Sequence, residues 1–133
     1  MKFKSVIVAM SIFYFVHGVA LCAEITVDME VSMHKGGNKE WDNISDPPPD
    51  VFGSIQIEGK VYEIPLKMNA YIYPIAIRVD SLNVGDRITI QLYDKDRFRK
   101  DDVIVIETLV YSGKKEEILL VLTDFVVTVA NLP

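Results

Sequence analysis

Four aspartates fall within nine residues of the stretch Tyr93-Asp94-Lys95-Asp96-Arg97-Phe98-Arg99-Lys100-Asp101-Asp102. Carboxylates about 4 Å apart repel by roughly 1 kcal/mol in bulk water and about 4 kcal/mol at an effective dielectric of 20, so a fold that gathers them favours a bound cation. Several carboxylate oxygens on a flexible loop suit Ca²⁺. Mg²⁺ asks for stricter octahedral geometry, and zinc usually takes His or Cys. The spacing is not that of an EF-hand, because D-x-[DN]-x-[DN]-G with a Glu at the twelfth position is missing and strands flank the loop. The competing reading is an acidic loop that stays hydrated and binds nothing. A second acidic group lies upstream, where Asp42, Asp46 and Asp50 accompany Trp41 and the triplet Pro47-Pro48-Pro49.

These loops need elements to hold them. Ile25 to Met33 alternates apolar and polar residues, which is the pattern of a half-buried strand with Val27, Met29 and Val31 facing the core. His34 to Asp50 has no periodicity and is rich in Gly, Asn, Asp and Pro, so it reads as a long loop. Loops longer than about 12 residues are usually functional or disordered. Three prolines in a row stiffen the end of this one toward polyproline geometry.

Val51 to Ile57 and Lys60 to Leu66 form a predicted hairpin across Glu58-Gly59. Ala70 to Val79 is a strand containing Pro74, which confines it to a sheet edge or a bulge. Arg87 to Tyr93, with Ile88, Ile90 and Leu92 on one face, leads into the acidic loop, and Val103 to Val110 leads out of it. Ile118 to Val129 is too long for one typical strand and is expected to break at Thr123-Asp124. Seven or eight short strands and no amphipathic helix predict an all-β sandwich of two antiparallel sheets, although periodicity alone equally allows an immunoglobulin-like, transthyretin-like or small-barrel arrangement.

The stretch from Tyr93 to Asp102 resembles the C2 domain family, in which a strand ends in hydrophobic-aromatic-Asp-x-Asp before a basic, aromatic tip and a further Asp. Trp41-Asp42 and Pro49-Asp50-Val51 are similar to the other loop of that family. The resemblance spans roughly Ile25 to Val129 and implies a C2-like sandwich that holds one or two Ca²⁺ ions. It implies Asp42, Asp50, Asp94, Asp96 and Asp102 as ligands, with Asp46 and Asp101 as spares. It departs from the family at Pro47-Pro48-Pro49, where Asp-Pro-Tyr is common, and at Val105, where Gly is common; the first departure leaves the register of Asp46 against Asp50 open. The resemblance also implies that Arg97, Phe98 and Arg99, with Trp41, meet an anionic membrane surface. For Phe98 the alternative is packing on the domain's own rim, and for Trp41 a lid over the loop base.

Lys2 and Lys4 precede an apolar run from Val6 to Val19 that ends in small residues, so residues 1–23 read as a secretory signal peptide and 24–133 as one domain. The run is short for a membrane span. The single cysteine, Cys22, lies at this boundary and allows no internal disulfide. Val19-Ala20-Leu21-Cys22 loosely resembles a lipoprotein processing site, but Leu21 stands where a small residue is expected, so a discarded leader is preferred. Removing Lys2 and Lys4 from fourteen basic residues leaves twelve against nineteen acids, a net −7. Such a chain lacks the basic footprint of a nucleic-acid binder.

The mature chain keeps only His34 and none of the nucleophile-elbow, zinc-protease or phosphate-loop motifs, so catalysis is not expected. The expected function is an exported, periplasmic or extracellular calcium-binding module that attaches to anionic lipid. The alternative is an inhibitor-like or immunity-like protein whose calcium only stiffens loops that grip a protein partner.

Overall fold

The computed structural model describes residues 22–31, 48–123 and 126–133. These form eight strands: β1 (Ala23–Val31), β2 (Val51–Ile57), β3 (Lys60–Lys67), β4 (Ile72–Val79), β5 (Arg87–Asp94), β6 (Asp102–Val110), β7 (Glu116–Leu122) and β8 (Val126–Leu132). They pair antiparallel throughout, in two four-stranded sheets of order β4-β1-β8-β7 and β3-β2-β5-β6. The expected all-β sandwich is thus the architecture, with the upper strand count.

The alternation in β1 does what its period demands: Ile25, Val27, Met29 and Val31 are buried between the sheets, while Glu24, Asp28 and Glu30 face solvent. Opposite them lie Ile55 of β2 and Ile88, Ile90 and Leu92 of β5, all fully buried. Each such side chain contributes about 1.5–3 kcal/mol. Pro74 sits in β4 at the edge of its sheet, and Pro65 sits in β3 at the edge of the other, where a missing N–H costs no ladder bond. The β2–β3 hairpin closes on Glu58 and Gly59 with φ of 45° and 83°, the paired left-handed residues of a type I′ turn. The long C-terminal run does break at Thr123, whose N–H donates to the Val126 carbonyl at 2.9 Å and whose Oγ1 accepts the Val126 N–H at 3.0 Å.

One strand starts later than its sequence suggests. Ala70 is outside β4, because its N–H donates to the Pro49 carbonyl at 2.8 Å instead of to β1. Asn69 before it takes φ of 54°, which turns the chain.

Register is what positions the acids. Ile55 pairs with Ile90 and Ile57 with Ile88, so the apolar match of β2 and β5 brings Val51 opposite Asp94. On the other side of β5, Leu92 pairs with Val105 but Tyr93 with Val103, so Ile104 is an extra residue in β6. This bulge reverses the parity of β6 beyond it and sets Asp102 directly opposite Asp94, on the same face. Were Ile104 paired with Tyr93 in regular alternation instead, Asp102 would lie on the other side of the sheet.

Candidate metal centre

Asp94 ends β5 in phase with Ile88, Ile90 and Leu92, so its carboxylate continues the inner face of the sheet and is 0% exposed. A buried carboxylate needs partners. Its Oδ1 accepts the Asp50 N–H at 3.0 Å, and the Asp50 carbonyl accepts the Lys95 N–H at 2.8 Å, which carries the ladder one rung past the strands. Asp50 is itself buried, and its Oδ1 accepts the Asn69 N–H at 2.8 Å. Three loops are therefore tied together at one end of the sandwich, through Pro49-Asp50, Asn69-Ala70 and Asp94-Lys95.

The second acidic loop is closed from within. The Asp96 N–H donates to Asp101 Oδ1 at 2.9 Å, which brings the two ends of the basic tip together. The Asp96 side chain is only 6% exposed, and its Oδ2 is buried without a hydrogen bond among the described residues. Arg99 Nε stands 3.7 Å from that oxygen, near enough to compensate charge but too far to be a hydrogen bond. Behind the loop, Phe52 stacks on Tyr93 with ring centroids 5.5 Å apart, and the Tyr93 hydroxyl donates to Gln91 Oε1. Both rings lie on the outer face and stiffen the base of the site.

At the tip, Phe98 is 93% exposed, and Arg97, Arg99 and Lys100 are exposed beside it. Among the described residues Phe98 packs on no part of the domain's rim. The structure brings Asp50, Asp94, Asp96, Asp101 and Asp102 to the same end of the sheet β3-β2-β5-β6. Trp41, Asp42 and Asp46 lie outside the described residues. Among the described residues, no three His, Cys, Asp or Glu side chains stand close enough to hold an ion by themselves. The donors nonetheless have the chemistry of a hard-cation site, being carboxylate oxygens alone. Asp96 adds a buried oxygen without a hydrogen bond, with the Arg99 guanidinium beside it.

Three features escaped the sequence. Asn69 had no signal that would link it to Asp50, the Ile104 bulge leaves the apolar run of β6 unbroken, and Arg99 reads as one of three equivalent tip cations.

No protein-family model and no curated protein matches the sequence. Solved structures do match. One C2 domain superposes with a TM-score of 0.56 at 10% identity, over 82% of this chain and 96% of that one. The first C2 domain of a plant extended synaptotagmin 1 gives 0.54 at 12% identity, over 83% of this chain and 91% of that one. A fragment of extended synaptotagmin 2 that contains two C2 domains gives 0.55 at 13% identity over 83% of this chain, which spans 40% of that fragment's length. The chain has the fold of a C2 domain.

Proposed function

We propose that this chain is an exported, non-enzymatic calcium-binding module that attaches to anionic membrane lipid through its acidic loops. The observation that supports this most strongly is the placement of Asp50, Asp94 and Asp102 on adjoining strand ends next to a fully presented tip aromatic, Phe98. Asp50, Asp94, Asp96 and Asp102 would hold the ion, with Asp42 or Asp46 completing the set and Asp101 bracing the loop. Calcium would neutralise the acids and offer open coordination positions to phosphate oxygens of a lipid headgroup. Dissociation constants around 10⁻⁴ to 10⁻³ M are the norm for extracellular modules.

The chain's own residues do the rest. Backbone N–H groups aimed at Asp94 Oδ1, Asp50 Oδ1 and Asp101 Oδ1 hold the carboxylates in fixed orientations. Burying Phe98 in the bilayer interface contributes roughly 1.5–3 kcal/mol, and each of Arg97 and Arg99 near an anionic surface about 1 kcal/mol. Those magnitudes support reversible attachment. The basic residues Lys2 and Lys4 ahead of the apolar run to Val19 support export, in which case the site meets a compartment richer in calcium than the cytosol.

Sedimentation with phosphatidylserine vesicles tests the reading. Pelleting that requires calcium and is lost in Phe98→Ala and Asp94→Asn is the expected result. A protein that stays soluble with calcium while its melting temperature rises would favour the protein-partner alternative.

A further inference from the structure

Asp96 presents a carboxylate that is 6% exposed, with an Oδ2 that no described group hydrogen-bonds. Burying an anion this way is costly unless a cation compensates it. The cation on hand is Arg99, three residues along the same loop, with Nε 3.7 Å from Oδ2 and its side chain 51% exposed. Neither Arg97 nor Lys100 makes an ion pair among the described residues, so the compensation is specific to one of the three neighbouring tip cations. The contact has the reach of an ion pair without the directionality of a hydrogen bond, and the half-exposed guanidinium is free to leave.

We infer that Arg99 is a resident counter-ion of the acidic site, which calcium displaces, and that the released guanidinium then binds lipid phosphate. This rests on the calcium reading above and adds a coupling to it. A cation that neutralises Asp96 removes the reason for Arg99 to stay, and a bidentate guanidinium beside Phe98 is well suited to a phosphate. Calcium and phosphate binding are then linked through one side chain, and by reciprocity anionic lipid raises calcium affinity beyond what shared charge alone gives.

The test is calorimetric titration of wild type, Arg99→Gln and Lys100→Gln with Ca²⁺ alone, then with phosphatidylserine vesicles present. Each variant removes one charge from the same tip, and K100Q reports the effect of tip charge at a residue that pairs with no carboxylate among the described residues, while the NMR arm separates displacement from charge at Arg99. Displacement predicts that R99Q binds calcium about fivefold or more tightly than wild type, the scale of a typical coupling between sites, and that K100Q changes affinity by less than about half of that factor. It also predicts that vesicles tighten calcium binding less in R99Q than in wild type or K100Q. In the NMR spectrum of the wild type, calcium should move the Arg99 Nε–Hε signal more than that of Arg97. Equal tightening in R99Q and K100Q, or an Arg99 signal that calcium does not move, overturns the inference while leaving calcium binding intact. Absence of calcium binding in the wild type and in R99Q overturns both.

Discussion

Gly53 is the position at which one added methyl group tests the link between packing and site. It lies on the inner face of β2, paired with Leu92 of β5, two residues short of Asp94. A Cβ built there would collide with the Gln91 carbonyl oxygen and fall 2.8 Å from its carbon and 3.1 Å from Leu92 Cα. All three are backbone atoms, so no side chain can rotate away. β5 would have to retreat from β2, stretching ladder bonds on either side. Overpacking costs about 1–3 kcal/mol and each lost internal hydrogen bond about 1 kcal/mol, so Gly53→Ala should cost roughly 3–5 kcal/mol. That is a large part of a typical stability of about 5–15 kcal/mol. At about 4–8 °C per kcal/mol for a domain near this size, the melting temperature should fall by more than about 12 °C. Gly85→Ala is the control, since nothing lies within 4 Å of its added Cβ and only its φ of 91° opposes it. Denaturant and thermal unfolding by circular dichroism measure both. A G53A protein within about 1 kcal/mol of wild type would refute the reasoning that the β2–β5 approach is tight. If G53A folds, weaker calcium binding is expected, because the same displacement separates Asp50 from Asp94.

Three further outcomes are expected. Phe98→Ala should leave the melting temperature within about 2 °C of wild type, because the 93% exposed ring packs on nothing, while abolishing vesicle pelleting. Deleting Ile104 should remove the β6 bulge yet keep Asp102 opposite Asp94, because Val103 then adjoins Val105 in regular alternation, so far-UV circular dichroism should stay β-rich and calcium affinity should stay within about threefold of wild type. Tyr73 donates its hydroxyl to the Pro65 carbonyl at 2.6 Å, and burial raises its pKa above 10.0. A raised native pKa means that this contribution to stability is complete below pH 10.0 and is lost as the pH climbs through the native value. Tyr73→Phe should therefore cost about 1 kcal/mol at neutral pH and flatten the alkaline decline in stability, which urea titrations from about pH 8 to 11 would reveal.

Most strands were legible because one physical rule sets them: a sheet with one buried face alternates, as Ile25 to Val31 and Ile88 to Leu92 do. Pro74 likewise announced an edge through its missing donor. Sheet order was not legible, since it depends on which apolar faces meet. The acidic cluster between β5 and β6 stood out by local density of charge, and its approach to Asp50 followed from the family resemblance. What sequence could not supply was direction. The face of Asp102 is decided by one extra residue in β6, and the orientation of Asp50 by an N–H of Asn69. Arg97 and Arg99 are equivalent on paper, and only the closure of the loop by Asp96 and Asp101 sets one of them against a carboxylate.

The central claim is that carboxylates gathered at the ends of β2, β5 and β6 form a calcium site, and calorimetric titration of the metal-free protein with Ca²⁺ tests it most directly. Wild type should give saturable heat with a dissociation constant at or below about 1 mM and a rise in melting temperature, and Asp94→Asn should give neither. No heat and no stabilisation of the wild type at millimolar calcium would contradict it.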